Sequence, residues 1–296
     1  MNWNGLLKSF ENYLRLEKAM SEHSIAAYVS DTKQLSDFFP NKTPQSLKTE
    51  DLLEVNYELA KLIDPKTQAR KLSAWKQFYD YLILSHRIDH NPCKNIENPK
   101  YHRKLPDTLS LDEIDQIVNS FDLSKALSYR NRAIVELLYS CGLRVSELCE
   151  LKLSNIYKKE QIIRVLGKGN KQRLIPIAQY TLDVIDEYLE FERAQLKIQD
   201  GHQDTLFLNR RGKGLTRVMI FTMIKNQVSL CGIKKNVSPH TFRHSFASHL
   251  LADGADLVAI QQMLGHQNLS TTEVYLHIDQ SKVKEILENF HPRGKN

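Results

Sequence analysis

Three prolines between Asn91 and Asp107, at Pro92, Pro99 and Pro106, limit how this chain can fold more than any other feature. No helix runs through such a spacing, because each proline removes a backbone donor and biases the residue before it toward extended backbone. Among them stand Lys94, Lys100, His102, Arg103 and Lys104 with few apolar side chains, the composition of an interdomain linker. The expected organisation is a domain over 1–98, a basic linker at 99–108 that can cross a phosphate backbone, and a second domain over 109–296. With 296 residues, 41% of them hydrophobic, the chain can build two cores.

The first domain reads as helices alone. Leu6, Leu7, Phe10, Tyr13, Leu14 and Leu16 keep a helical period, and Ile25, Tyr28, Val29, Leu35, Phe38 and Phe39 repeat it up to Pro40. Thr49, as a cap, with Glu50 and Asp51 opens a third helix. Asp64-Pro65 opens a fourth, with Leu72, Trp75, Phe78, Tyr79 and Leu82 inward and Lys66, Gln68, Arg70, Lys71, Lys76 and Gln77 on the other face. Such a face is ordinarily just solvated; with DNA as partner it is the natural one to lie along a groove.

The second domain mixes helices with a little β structure, so the fold class is mainly α with a small sheet. Ser110 and Glu113 form a capping-box pattern, and an apolar helix from Arg132 to Cys141 ends at Gly142. Arg144 follows at the start of a new helix with Glu147 one turn on, an arrangement that a simple surface ion pair explains equally well locally. The runs Gln161 to Leu166 and Gln172 to Ile177 form a hairpin around GKGNK, where Lys168 between glycines can reach outward, though a loop-tip lysine is ordinarily just solvated; Lys171 follows in the loop and Arg173 on the second strand. That loop lacks the spaced glycines and Lys-Ser/Thr ending of a phosphate-binding P-loop. A helix from Thr181 to Gln195, a short strand Leu206-Phe207-Leu208, a basic loop with Arg210 and Arg211, and a helix from Thr216 to Leu230 follow.

Chemistry concentrates between Ser238 and Ile278. Ser238-Pro239 opens a helix with His240 and Arg243 on one face and Phe242, Phe246, Leu250 and Leu251 as the buried stripe, ending at Gly254. A second helix, Asp256 to Leu264, stops at Gly265-His266, and a third begins at Ser270 and carries Tyr275. His240 and His244 have the spacing of a zinc pair, but no glutamate lies between them and Arg243 does, so no metal is expected. Two imidazoles, a guanidinium and a phenol brought together make an anion site that contains a nucleophile.

Charge and cysteine usage fit without deciding. A net charge of +6 with pI near 9.0 suits a polyanion partner and equally an unremarkable soluble enzyme. The four cysteines show no CxxC pairing, and Cys141 and Cys149 in apolar helical contexts read as free thiols of a reducing cytoplasm. The N-terminus does not read as a signal peptide, and no apolar run approaches membrane-spanning length, so a cytoplasmic protein without membrane association is expected.

In order, the chain presents Arg144 in GLRVSEL, Lys168 in GKGNKQR, His240 and Arg243 in HTFRH, then His266 and Tyr275 in LGHQNLSTTEVY. This succession resembles the tyrosine recombinase (lambda-integrase-like) family, most of all its bacterial Xer-type branch of chromosome-dimer-resolving recombinases, over essentially the whole chain. The resemblance implies a C-shaped clamp on duplex DNA and a 3′-phosphotyrosyl intermediate formed by Tyr275. It further implies that Arg144 and Arg243 clamp the phosphate and that Lys168 protonates the leaving 5′-oxygen. His240 would move the phenol proton, His266 would donate to the phosphate, and Glu147 would support Arg144. Five cationic or hydrogen-bonding side chains can offset the charge, so no metal, ATP or other cofactor is expected. DNA contacts are expected from Lys66, Arg70, Lys71, Lys76, Arg103, Lys104, Lys171, Arg173, Arg210 and Arg211. The implied partners are a double-stranded recombination site, a tetramer of protomers on two duplexes, with or without a second related recombinase, and a septum-associated DNA translocase. A mobile-element or phage integrase of the same fold is the alternative; a type IB topoisomerase or a non-enzymatic DNA-binding protein fits the full residue set less well. The final run, Ser281 to Phe290, spaces Val283, Ile286, Leu287 and Phe290 as a helix that docks on its own domain or on a neighbouring protomer.

Overall fold

The computed structural model describes residues 2–99, 107–167, 172–265 and 286–294. The chain divides into two compact units, Met1–Lys104 and Leu105–Asn296. The expected positions Lys100, Arg103, Lys104, Lys168, Lys171, His266, Ser270, Tyr275 and Val283 lie outside the described residues.

In the first unit each helix starts where a side chain can satisfy its leading N–H groups. Asn2 caps α1 (Trp3–Leu16), Ser21 caps α2 (Glu22–Phe38), and Asp64 accepts from the N–H groups of Lys66 and Thr67, 3.0 Å each, at the head of α4 (Pro65–Leu84). At α3 (Thr49–Leu62) the cap is Lys48 rather than Thr49: Asp51 accepts from the Lys48 N–H, and the Thr49 hydroxyl donates to the Pro92 carbonyl at 3.0 Å. Leu6, Phe10, Leu14, Leu35, Leu52, Leu72, Trp75 and Phe78 interdigitate in the core, with Phe10 edge-on to Phe78 at 5.2 Å. Leu16, expected inside, is exposed. Cys93 and Ile96 are buried in the same core, so the unit continues past Pro92 into the proline-spaced segment.

The second unit has α5 (Leu111–Asn119), capped by the expected Ser110 and Glu113 box, then α6 (Ser128–Ser140) and the short α7 (Val145–Cys149). An antiparallel sheet follows, of β1 (Ile156–Tyr157), β2 (Ile162–Leu166) and β3 (Gln172–Pro176) in the order β1-β2-β3. Ile163 pairs with Ile175 and Val165 with Arg173. α8 (Gln179–Phe191) ends four residues short of the expected Gln195, and a single 3₁₀ turn at Arg193–Gln195 takes over. α9 (Arg217–Leu230), α10 (Pro239–Ala252) and α11 (Leu257–Leu264) complete the unit's labelled elements.

Two expectations change here. Leu206, Phe207 and Leu208 are buried but form no strand: Leu208 makes an isolated bridge with Gly214, Thr205 just before them another with Lys152, and the Leu206 N–H donates to the Leu151 carbonyl at 2.9 Å. Side chains take the place of a neighbouring strand: Tyr188 donates to the Leu206 carbonyl, Arg130 to that of Leu208, and Arg193 to those of Thr205 and Leu206. Leu251 is 52% exposed, because the buried stripe of α10 runs Phe242, Phe246, Leu250 at intervals of four and leaves the next residue off that face.

Residues 286–294 return to their own unit. Leu287 enters the main core, His291 packs at a tilt against Tyr139 and Phe246 with centroids 4.9 and 5.2 Å away, and Arg293 donates to Glu136 Oε1 at 3.0 Å and Asp115 Oδ1 at 2.7 Å.

Candidate active site

The end of α11 organises the site. The last carbonyls of a helix have no partner within it, and here three consecutive ones each accept from a different arginine. Arg173 Nε donates to Met263 O at 2.8 Å, Arg243 Nη2 to Leu264 O at 2.5 Å, and Arg144 Nη2 to Gly265 O at 3.0 Å. Gly265, in the left-handed region at φ 65°, turns the chain off the helix there.

Each arginine arrives from its own element for a local reason. Arg144 is the N-cap residue of α7, and its N–H donates to Glu147 Oε2 at 2.8 Å while its Nη1 donates to Oε1 at 2.8 Å. Arg243, the fifth residue of α10, is buried and reaches Gly142 O with Nη1 at 2.6 Å. Gly142 closes α6 with φ 57°, and a Cβ there would stand 2.6 Å from Phe246 Cδ1, so only glycine lets this carbonyl meet the guanidinium. Arg173, on β3, grips both oxygens of Glu147, Nη1 to Oε1 at 2.6 Å and Nη2 to Oε2 at 2.9 Å.

Charge is distributed unevenly over this cluster. Burial would push the Glu147 carboxyl up, but Arg173 first and then Arg144 more than offset it and hold it below the usual range. The Arg243 guanidinium is lowered to about 10, first by burial and then by the positive charge of Arg144. With a single carboxylate beside these guanidiniums, the site is short of negative charge. An arginine has five N–H donors, and Arg243 directs two of its own at described carbonyls, so the cluster can still meet a planar oxyanion. His240, three residues before Arg243 on α10, is exposed.

The DNA-contact candidates separate into two groups. Lys66, Arg210 and Arg211 are exposed, the last two at a turn that Asn209 braces by accepting from the N–H groups of Arg211 and Lys213. Lys71, by contrast, is buried and ion-pairs with Asp31 at 3.2 Å, and Arg70 pairs with the same carboxylate. Gln68 is buried with its amide on the Asn56 carbonyl, and the Lys76 ammonium is held by the Ile96 carbonyl at 2.7 Å. The face of α4 expected to be open is thus largely engaged inside its own unit. Arg173, expected at a DNA surface, has a side chain only 14% exposed and turned into the site. Strand alternation carried that signal, since Arg173 shares the inward face with Ile175, but the place of the α11 carbonyls could not be read from the chain.

Comparison with known proteins gives the family and the fold. Residues 107–282 match the phage integrase family model, and residues 7–86 match the N-terminal SAM-like domain of phage integrases. The chain belongs to the phage integrase family. It is 36% identical to a tyrosine recombinase XerD of Listeria innocua, over 98% of this chain and the whole of that one. Against a tyrosine recombinase XerD of Staphylococcus epidermidis it is 37% identical, again over 98% of this chain and the whole of the relative. The crystal structure of a XerA recombinase superposes with TM-score 0.51 at 32% identity, covering 96% of each chain. Two more distant structures share the fold. A XerH recombinase bound to a palindromic difH substrate gives TM-score 0.72 at 22% identity, over 94% of this chain and 83% of that one. A lambda integrase dimer on a core site gives 0.74 at 18% identity, over 94% of this chain and all of that one. As a site-specific tyrosine recombinase of the Xer type, the protein is an enzyme that breaks and rejoins DNA. Among the described residues no helix is long and apolar enough to cross a membrane.

Proposed function

We propose that the chain exchanges strands between two copies of a specific duplex site through a covalent bond to Tyr275, and that its task is to resolve chromosome dimers in the cytoplasm at cell division. The convergence of Arg144 and Arg243 on the end of α11 carries this reading. That cluster gathers positive charge beside the start of the segment that leads through His266 to Tyr275. Full-length identity of 36–37% to relatives named XerD favours the chromosomal role over a mobile-element one.

In this scheme the Tyr275 oxygen bonds to phosphorus as the bond to the 5′-oxygen breaks, and the leaving oxygen takes its proton from Lys168. The energy of the phosphodiester is retained in the phosphotyrosine, so the step reverses when a new 5′-hydroxyl attacks. Arg144 and Arg243 bind the non-bridging oxygens as their charge grows. His240 takes the phenol proton and His266 donates to a non-bridging oxygen. The chemistry runs without metal or ATP. Four protomers act on two duplexes, with a second related recombinase and a septum-associated translocase as candidate partners. Lys66, Arg210 and Arg211 contribute to backbone affinity, which falls steeply with salt.

The test is a nicked suicide duplex that carries the target site, incubated with wild type and with Tyr275→Phe in excess EDTA. A covalent adduct with wild type alone is expected. An adduct that Tyr275→Phe also forms, or one that appears only when Mg²⁺ is supplied, overturns the scheme.

A further inference from the structure

Arg173 lies on β3, outside the six residues assigned a direct part in cleavage, yet it closes a ring of hydrogen bonds through all the described arginines of the site except Arg243. From Arg173 the ring passes to both oxygens of Glu147, from Glu147 to the N–H and Nη1 of Arg144, and from Arg144 Nη2 to Gly265 O. Two residues back along the chain lies Met263 O, which accepts from Arg173 Nε. Glu147 has four donors, two of them from Arg173, and its side chain is only 2% exposed. A Cβ on Gly265 would come within 3.2 Å of Arg173 Cδ and Nη1, so the guanidinium also packs directly beneath the residue that precedes His266.

We infer that Arg173 is a positioning residue for strand cleavage: it fixes Glu147, and through Glu147 the Arg144 guanidinium, while pinning the end of α11 from which the chain continues to His266. The inference rests on the proposed phosphotyrosyl reaction. A flexible carboxylate would leave Arg144 free to choose among rotamers, and a misplacement near 1 Å costs on the order of 10²-fold in rate. Lysine is a poor substitute, because a single ammonium cannot span two carboxylate oxygens and a carbonyl in fixed directions.

The role is separable from that of a DNA contact and from general support of the fold. Single-turnover cleavage of the suicide duplex is measured at saturating protein for wild type, Arg173→Gln, Arg173→Lys, Glu147→Gln and the double variant Arg173→Gln/Glu147→Gln, with duplex affinity at several salt concentrations. A parallel duplex carries sulfur in place of the 5′-bridging oxygen, a leaving group that needs no proton. The positioning role predicts a rate loss of about 10²-fold in Arg173→Gln at saturating protein, with the salt slope of duplex affinity unchanged because Arg173 neutralises no phosphate of its own. The loss should persist on the sulfur substrate, because the defect lies at the phosphate clamp rather than at the proton donor. In the Glu147→Gln background the further loss should be less than about 3-fold, since the two residues act as one unit. Arg173→Lys, which keeps the charge and guards against a variant that does not fold, should recover under a tenth of the wild-type rate. A weaker affinity with a salt slope reduced by about one and a normal saturated rate would make Arg173 a DNA contact and overturn the inference. Full additivity with Glu147→Gln, rescue by sulfur, or a wild-type rate in Arg173→Lys would overturn it as well. Wild type that forms no adduct removes the proposed reaction and this role together, whereas a normal wild type with unaffected Arg173 variants removes this role alone.

Discussion

Replacing Arg293 with methionine gives a sharp test of how the C-terminal residues are held. The guanidinium touches the Glu136 and Asp115 carboxylates and lies over the Tyr180 ring at 5.2 Å. Glu136 is completely buried; its Oε1 otherwise accepts only a long hydrogen bond from Thr181, 3.4 Å, and its Oε2 has no partner among the described residues. Burial already pushes this carboxyl up even with Arg293 beside it. An uncompensated buried charge costs about 3–5 kcal/mol, but the group can escape by taking a proton. At pH 7 that escape costs a glutamate of solution pKa near 4.3 about 3.7 kcal/mol, and at pH 5.5 about 1.6 kcal/mol. In the variant the folded state holds the extra proton, so its stability relative to wild type rises as pH falls and is lost as pH rises toward 7. Urea unfolding should therefore show a deficit of up to about 4 kcal/mol at pH 7 that shrinks to about 2 kcal/mol at pH 5.5. Adding Glu136→Gln should restore most of it. If residues 286–294 detach before the full penalty is reached, proteolysis of that segment at pH 7 will exceed that of wild type. A deficit below about 1 kcal/mol, without faster proteolysis, or one that does not depend on pH, would refute the argument.

Two other substitutions follow from the same packing. Gly142→Ala must place a side chain at φ 57° and 2.6 Å from Phe246 Cδ1, which combines about 1–2 kcal/mol of left-handed strain with about 1–3 kcal/mol of overpacking. A urea midpoint equivalent to a loss under about 1 kcal/mol would contradict this; cleavage should also fall, since the same residue's carbonyl anchors Arg243. His291 is buried and its imidazole is lowered to about 3, first by burial and then by the charge of Arg293. The folded state thus binds fewer protons than the unfolded one between about pH 6.5 and 3, and wild type should lose about 1.4 kcal/mol from this group by pH 5.5. His291→Phe should flatten that part of the stability profile, and an unchanged slope would exclude His291 as its source.

Much of this fold was open to a reader of the chain because helix periodicity, caps and glycine stops are local properties. Asp64-Pro65, Ser110 with Glu113, Gly142, and Asp256 before α11 each stand where the structure begins or ends a helix. What stayed hidden depends on partners far away in sequence. Lys71 on a polar helix face looks solvated until Asp31, forty positions earlier, is seen to be buried beside it. Leu206 to Leu208 have strand composition, but their carbonyls are met by Tyr188, Arg130 and Arg193, which no strand pattern discloses. Of the site, the arrival of Arg144 beside Glu147 was legible, and so was a buried face for β3. That both would meet Arg243 at the carbonyls of α11 follows only from the packing of four elements together.

The arrangement also answers how several like charges can share a partly buried cluster. Arg144, Arg173 and Arg243 bring three positive charges, Glu147 returns one negative, and the carbonyl end of α11 supplies roughly half a charge more. About one and a half positive charges remain, enough to bind a phosphodiester that carries one negative charge and to favour it further as it moves toward two in the pentavalent transition state. Full neutralisation by a second carboxylate would make the cluster easier to fold and would remove the preference for the more highly charged species. Without Glu147 and the helix end, three guanidiniums would repel one another out of register. The carboxylate and the α11 carbonyls hold the arginines together, and their incomplete neutralisation leaves the attraction on which cleavage depends.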